Sequence, residues 1–460
     1  MRRTLLARSA AMVAALACAL PAAAAPDGPK LLGKLPGLET FTLGNGLQVA
    51  VLRTSGTPVA SVQVWYHAGS KDEPADRRGT AHMFEHLLFR GSAHVRPELH
   101  GQVVTALGGQ VSAATDEDST RFINNVPADQ VDYLIRLEAE RMRQLRFTPA
   151  AIASERAGIQ DELRQQAGSP FAMGLLRCLA VAYLKHPYAW TAAGVAKELD
   201  AITAEDLKKF YDAYYQPSNA LLVVVGNVTP GEVKASADRW FGPIAKAPAP
   251  ARPAAERVEP AQTGQRHEVA EPGAVGLTLI GWHTPAARDK DTAALQVAAV
   301  VLGGGDAGRL KQRLKAVDAK TKQALALDAG MDALVREDPG LIVALGAYLD
   351  GSKADAVGAA ILDEVGRLAS AGPGADDLRR AKSQLVSGAV FALDTAQGAG
   401  EAIGRAWILS GDPAAFSRQI DDLERVSAAD VQRVAKQYLA ADRATVVVIP
   451  PKAPTPAKAR

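Results

Sequence analysis

The chain repeats one local pattern in its two halves. A helical pattern followed by an apolar strand pattern occupies residues 202–225 and returns at 426–449 with nearly the same spacing. The strand patterns at 62–65 and 277–282 also resemble each other. Two matches in the same order indicate a duplicated unit. Because helices and hairpins occur in blocks, the sequence predicts an α+β fold of two homologous domains, each a mainly antiparallel sheet packed with helices.

Composition places the boundaries of these domains. A proline- and alanine-rich stretch without periodicity predicts an extended linker at 244–262. The predicted organisation is a signal peptide at 1–25, an N-terminal domain at 34–243, this linker, a C-terminal domain at 263–450 and a disordered tail at 451–460.

The first residues are typical of an export signal. Three arginines precede an apolar run at 10–20, and small residues follow through Ala25. The run is shorter than the roughly 20 apolar residues that span a bilayer, so we expect cleavage after Ala25 and a periplasmic protein. Lipidation at Cys18 stays open as an alternative. No later segment is long and apolar enough to predict a transmembrane span.

The mature chain would keep a single cysteine and an ordinary charge. Without the signal, Cys178 is the only cysteine, so no intrachain disulfide forms, and its apolar neighbours predict a buried structural thiol. The formal charge of +2 and the lack of a dense basic patch give no reason to expect nucleic-acid binding.

The strongest chemical signal is His82-Met-Phe-Glu85-His86. In a helix, the two histidines lie one turn apart on one face with Glu85 beside them. This arrangement suits a catalytic zinc, which takes neutral imidazole ligands, while a carboxylate that does not bind the metal accepts a proton from water. A chance match or a structural histidine pair is the alternative. We expect His94 and His100, which follow, to have surface or capping roles.

The segments around this motif read as two hairpins and two helices. The Asn45-Gly46 turn predicts a hairpin over 39–53, and a second hairpin is predicted over 110–126. Helices are expected to begin at Pro127 and, behind a Thr148 cap, at Pro149. The residues alone do not choose a third zinc ligand among the downstream carboxylates, which include Glu138, Glu140, Asp161 and Glu162.

With these motifs in view, the chain resembles the pitrilysin/insulinase family of zinc metallopeptidases, in the short two-subunit branch that includes mitochondrial processing peptidase. The resemblance rests on Phe-Thr-Leu-Gly-Asn-Gly-Leu at 41–47, Gly-Thr-Ala-His-Met-Phe-Glu-His-Leu-Leu-Phe at 79–89 and Leu-Gly-Gly-Gly at 302–305. It implies one zinc ion per chain held by His82, His86 and Glu162. Glu155, seven residues before Glu162, is then a supporting carboxylate.

The resemblance also implies a mechanism and a substrate strand. Glu85 becomes the general base for hydrolysis of peptides or unfolded polypeptides. The substrate is expected to add a strand along the residues that follow Gly108. These are Gly109, Gln110, Val111, Ser112 and Ala113. Ser112 stands where the family usually has asparagine.

A second departure from the family implies a partner. Single-chain relatives carry an arginine and a tyrosine seven residues apart in their second half. The corresponding region here, 309–327, has no tyrosine, and Lys320 stands seven residues after Arg313. A homologous subunit without the zinc motif would then supply this pair. Whether the assembly is a homodimer or a heterodimer stays open.

The sequence therefore predicts an exported zinc endopeptidase that works with a partner. The alternative is a non-catalytic structural or chaperone-like protein of the same architecture.

Overall fold

The computed structural model describes residues 37–252 and 258–452. The predicted signal peptide, the middle of the predicted linker and most of the predicted tail lie outside the described residues. Within the described part, no helix is long and apolar enough to cross a membrane. Cys178 is buried, and burial raises the pKa of its thiol to about 12, which confirms the predicted structural thiol.

Six strands form the first sheet. They are β1 (Leu38–Thr42), β2 (Gln48–Arg53), β3 (Val59–Tyr66), β4 (Gln110–Thr115), β5 (Thr120–Pro127) and β6 (Ala220–Gly226). Their order is β1-β2-β6-β3-β5-β4, and neighbours are antiparallel except for β2 and β6. Both predicted hairpins, β1–β2 and β4–β5, are confirmed. Strand β4 is an edge of this sheet.

The second sheet repeats this plan with five strands. They are β7 (Arg266–Val269), β8 (Gly276–His283), β9 (Asp328–Leu334), β10 (Leu341–Tyr348) and β11 (Thr445–Ile449). The order is β7-β11-β8-β10-β9, with β7 and β11 parallel. The two repeated strand patterns of the sequence thus become β6 and β11, each beside a parallel neighbour. The predicted α+β fold with two homologous, mainly antiparallel sheets is confirmed.

Helices pack on both sheets. In the first half they are α1 (Thr80–Leu87), α2 (Leu99–Ala106), α3 (Val131–Arg143), α4 (Pro149–Ala167), α5 (Pro170–Ala182), α6 (Ala196–Ala201), α7 (Ala204–Tyr214) and α8 (Pro230–Trp240). In the second half they are α9 (Thr292–Gly303), α10 (Arg309–Lys315), α11 (Ala354–Ala371), α12 (Ala375–Ala392), α13 (Ala396–Ser410), α14 (Ala415–Arg425) and α15 (Ala428–Tyr438).

Side-chain caps mark the starts of six of these helices, namely α4, α5, α7, α8, α13 and α15. The Thr148 hydroxyl accepts a hydrogen bond from Ala151 N at 3.2 Å, which caps α4 as predicted. The predicted start of α3 at Pro127 is wrong, because Pro127 still pairs with Val59 in the sheet. A short 3₁₀ turn follows, and α3 begins at Val131.

Each half lends a helix to the other half. Helix α5 of the first half packs on β8 and β11, where Cys178 and Leu179 join Leu277 and Leu279 in one buried cluster. Helix α13 of the second half packs on β3 and β6 of the first sheet. This exchange buries the face of each sheet that its own helices leave uncovered, so the two halves share their cores.

Helix α13 approaches the first sheet closely at Gly404. A Cβ atom there would lie 2.1 Å from the ring of the buried Trp65. We expect Gly404→Ala to lower the free energy of unfolding by about 1–3 kcal/mol through overpacking. Urea unfolding of the full chain measures this change.

Gly366 in α11 is the matched control, since a Cβ atom there meets nothing within 4 Å. Gly366→Ala is expected to leave stability unchanged or to raise it by up to about 1 kcal/mol. Equal effects of the two substitutions would contradict the close approach at Gly404.

Ion pairs and a hydrogen bond connect the turn between β4 and β5 to the second half. Lys71, whose side chain is fully buried, contacts Asp118 at 2.6 Å and also contacts Glu337 in the loop between β9 and β10. The Glu337 N–H donates to Asp118 Oδ2 at 3.0 Å. Arg336 pairs with Glu117 in the same place. The second half therefore anchors the edge of the first sheet that carries β4.

The described ends of the predicted linker lie against the first half. Arg252 pairs with Asp72 at 3.1 Å. The Glu259 carboxylate accepts hydrogen bonds from the backbone N–H groups of Leu184, Lys185 and His186. Beyond β11, Pro451 forms a bridge with Gly273.

Candidate active site

Helix α1 is fixed at its N-terminus by a buried carboxylate. Gly79, at a φ of 99°, precedes the helix, and a Cβ atom there would lie 2.6 Å from Leu199. Glu73 accepts hydrogen bonds from Gly79 N at 2.9 Å and Ala81 N at 2.8 Å. Burial raises the pKa of Glu73 to about 8. Sequence reasoning missed Glu73, because it lies outside the usual capping position.

One face of α1 packs in the core, and the motif residues lie on the opposite face. Met83, Phe84 and Leu87 are buried in the core of the first half. On the remaining face, His82 and His86 lie toward Glu162 of α4. Glu85 lies toward Thr115 of β4.

Helix α4 brings a carboxylate to the two histidines. Glu162 Oε2 lies 3.5 Å from His82 Nε2, and Glu162 Oε1 lies 3.9 Å from His86 Nε2. One donor atom from each of the three residues lies within 4.8 Å of the others. Zinc bonds of about 2.0–2.1 Å in a tetrahedron place donor atoms roughly 3.3–3.5 Å apart. The three donors fit such an ion with small adjustments.

The other carboxylates that the sequence left open are engaged elsewhere. Glu138 is buried and binds Asn124 and Arg141. Glu140 accepts from Ser92 Oγ at 2.8 Å, and Asp161 pairs with Arg164.

A second layer of side chains orients His86. Its Nδ1 lies 3.0 Å from Glu155 Oε2, which leaves Nε2 to face Glu162. The other oxygen of Glu155 contacts Arg90 Nε, and Arg90 Nη1 donates to Glu98 at 2.8 Å. Sequence reasoning missed Arg90, although its position four residues after His86 matches helical spacing.

The surroundings of His82 and His86 shift their pKa values in opposite directions. Burial and the neighbouring His86 lower the pKa of His82 to about 3, so its ring is neutral as a metal ligand must be. Burial opposes protonation of His86 as well. However, hydrogen bonding to Glu155 and the charges of Glu162 and Glu85 outweigh it and raise the pKa of His86. Burial likewise opposes ionisation of Glu155, and His86 and Arg90 reverse this and lower its pKa.

Glu85 accepts a hydrogen bond from β4, the strand that is predicted to pair with the substrate. Thr115 Oγ1, at the end of β4, donates to Glu85 Oε2 at 2.7 Å. Burial raises the pKa of Glu85, and the hydrogen bond from Thr115 opposes this effect. Thr115 was not among the predicted site residues. Its alternation with Val111 and Ala113 was the available signal.

Thr115→Val tests this hydrogen bond. Because the bond favours the ionised form of Glu85, its loss raises the pKa of that carboxylate. We expect the acid limb of the kcat/KM profile for peptide cleavage to move to higher pH. The plateau is expected to fall about five- to thirtyfold, because the carboxylate also loses the bond that holds it in position.

Thr115→Ser keeps the hydroxyl and is expected to keep the wild-type acid limb. An unchanged acid limb in Thr115→Val would show that the hydroxyl does not tune Glu85.

Strand β4 presents alternate backbone groups at the open edge of the sheet. Asp116 N donates to Ser119 O at 2.9 Å at the turn. Bonded pairs recur at every second residue of an antiparallel ladder, so Gln110 and Ser112 pair with β5. The N–H and C=O groups of Val111 and Ala113 point away from it. Gly109 precedes the strand.

The region predicted to lack the arginine–tyrosine pair, residues 309–327, makes other contacts. Arg313 in α10 pairs with Asp363 at 2.5 Å and Glu364 at 2.7 Å on α11. Lys320 is exposed. His94 is exposed as expected. The surface or capping role predicted for His100 is wrong, because that residue is buried and its ring contacts the side chains of Asn124 and Arg141.

Comparison with known proteins agrees with this geometry. Residues 48–189 match the family model described as Insulinase (Peptidase family M16), and residues 201–385 match the model described as Peptidase M16 inactive domain. A zinc protease named PqqE from Helicobacter pylori is 34% identical over 65% of this chain and 67% of its own length. This chain belongs to peptidase family M16.

Two further matches are similar to this chain over most of its length. A probable mitochondrial-processing peptidase subunit beta from Arabidopsis thaliana is 26% identical over 88% of this chain and 76% of its own length. The crystal structure of a protease from Helicobacter pylori superposes with a TM-score of 0.84 at 28% identity, covering 90% of this chain and all of that one.

The two M16 matches differ in the candidate site residues that they contain. His82, Glu85, His86 and Glu162 all fall within the first match. The second match covers most of the second half, which repeats the fold of the first. None of the described residues in this match belongs to a comparable cluster of possible metal ligands.

Proposed function

We propose that this chain is a zinc-dependent endopeptidase that hydrolyses peptides or unfolded polypeptides and holds one zinc ion. The observation that supports this most is the convergence of His82, His86 and Glu162, with Glu85 beside them on α1. The naming of an M16 relative as a zinc protease agrees with it.

The residues of the site have separate roles in the proposed hydrolysis. When bound, zinc supplies a Lewis acid that acidifies water and polarises the substrate carbonyl. Glu85 accepts the proton of the attacking water and delivers it to the leaving amine. Burial raises the pKa of Glu85 and so makes it a stronger base. Glu155 orients His86, and the backbone edge at Val111 and Ala113 pairs with an extended substrate.

The proposal includes a homologous partner without a zinc site. The support is the absence of a tyrosine from 309–327 and the commitment of Arg313 to α11. The Arabidopsis relative is itself named as a subunit. Export to the periplasm is proposed from the sequence of residues 1–25 alone.

A second candidate is a non-catalytic structural protein of the same fold. The description of the second match as an inactive domain favours it. The complete donor set in the first half favours the enzyme instead.

Quenched-peptide cleavage by the purified chain, with and without a co-purified partner, tests the proposal. We expect zinc-dependent cleavage that chelation abolishes and that the partner increases. Zinc bound one-to-one without cleavage under any condition would favour the structural candidate. Full activity of the chain alone, with no gain from a partner, would contradict the two-subunit proposal.

A further inference from the structure

A groove lies directly behind the proposed zinc ligand His86. It has a volume of about 610 Å³ and runs between the loop at 90–97 and the first turns of α4. Arg90 in its wall contacts Glu155, the residue that hydrogen-bonds to His86. The groove is therefore one layer of side chains away from the metal site.

The wall of the groove is cationic. Arg90, Arg96 and Arg146 line it, and none of its lining residues is acidic. A carboxylate beside the loop, that of Glu140, contacts the lining residues Ser92 and His94 and neither Arg96 nor Arg146. Hydroxyl groups are present as well, among them that of Thr148. Such a surface favours an anionic group over a cationic or apolar one.

Two of these arginines retain an uncompensated charge. Arg90 is paired with Glu155 and Glu98. In contrast, Arg96 donates to the neutral Gln102 Oε1 at 2.9 Å, and Arg146 donates to the Ala93 carbonyl at 3.2 Å. Within 37–252 and 258–452, no carboxylate forms an ion pair with Arg96 or Arg146. A guanidinium group without an acid can bind a carboxylate through two parallel hydrogen bonds.

The distance to the zinc site suits a bound polypeptide. Ala151 in the groove wall and Glu162 both belong to α4, and the rise of 1.5 Å per residue separates them by about 16 Å. An extended chain advances roughly 3.3 Å per residue, so about five residues cover this distance.

We propose that the groove is a substrate subsite for a carboxylate about five residues from the scissile bond. The carboxylate belongs either to an acidic side chain or to the C-terminus of the substrate. Arg96 and Arg146 bind it and so determine specificity. This inference rests on the proposed endopeptidase function.

Matched quenched peptides test the subsite. Glutamate is compared with the isosteric glutamine at each position from three to seven residues on both sides of the scissile bond, in peptides with amidated C-termini. We expect glutamate at one position to raise kcat/KM about three- to tenfold, with the gain falling at high salt. The Arg96→Gln, Arg146→Gln double variant is expected to lose the gain and keep wild-type cleavage of the glutamine peptides.

Two further variants sharpen the result. Arg146→Glu is expected to prefer lysine at the same position. Arg379→Gln, on the exposed surface of α12, is the matched control and is expected to keep the glutamate preference. A gain that appears only when the amide is replaced by a free terminal carboxylate would assign the groove to the substrate's C-terminus.

The outcomes separate the subsite from the activity. No glutamate or terminal-carboxylate preference at any position, or a preference that survives in the double variant, overturns the subsite, while zinc-dependent cleavage of neutral peptides still supports the endopeptidase. If no peptide is cleaved, the endopeptidase fails, and binding of the labelled peptides to Glu85→Gln protein decides the groove. Equal Kd values for all members of the set would then overturn it.

Discussion

Glu85→Gln is expected to reduce kcat/KM for peptide cleavage about 10²- to 10⁴-fold while zinc stays bound. Glutamine has nearly the same shape and still accepts the hydrogen bond that Thr115 donates at 2.7 Å. It cannot accept a proton from water, so the loss falls on the chemical step. Steady-state kinetics with quenched peptides and metal analysis of the same preparation measure both quantities.

Glu205→Gln is the matched control, since Glu205 is exposed on α7 and pairs only with Lys209 in the part of the chain described. Its kinetics should equal those of the wild type. Retention of activity by Glu85→Gln would rule out Glu85 as the general base.

Glu162→Gln is expected to weaken zinc binding more than any other single carboxylate substitution in the chain. Glu162 lies between the two histidines, and its loss removes one of three protein donors. Glu155→Gln, which alters only the contact to His86, is expected to weaken zinc binding about ten- to a hundredfold. Competition titration with a metal-binding dye gives all the affinities on one scale.

Asp161→Asn controls for loss of charge on the same helix, because Asp161 is exposed and pairs with Arg164. We expect its zinc affinity to match the wild type. A larger effect of Asp161→Asn or Glu155→Gln than of Glu162→Gln would contradict the ligand assignment.

The second half contributes to the candidate site through the fold. Thr115 ends β4 immediately before the turn that Lys71, Arg336 and Glu337 hold in place. The position of the Glu85 partner therefore depends on contacts with the second half. This dependence gives a physical reason why the candidate site requires both halves of the chain.

The sequence by itself determined what depends on neighbouring residues. The spacing of His82, Glu85 and His86 requires one helical face, and Thr148 followed by Pro149 sets the start of α4. The Asn45-Gly46 turn specifies the first hairpin. These features follow from backbone geometry over a few residues, so they were predictable without the fold. The start of α3 was not, because the pairing of Pro127 with Val59 is a contact distant in sequence.

Only the tertiary structure decided which distant residues meet. Sequence spacing left Glu138, Glu140, Asp161 and Glu162 equivalent. The packing of α4 against α1 brought only Glu162 of these four beside the histidines. Packing of α1 against β4 brought Thr115 to Glu85, and α5 and α13 each packed on the sheet of the opposite half. Such contacts depend on how whole elements bury their apolar faces, and this information is spread over the entire chain rather than held in any local pattern.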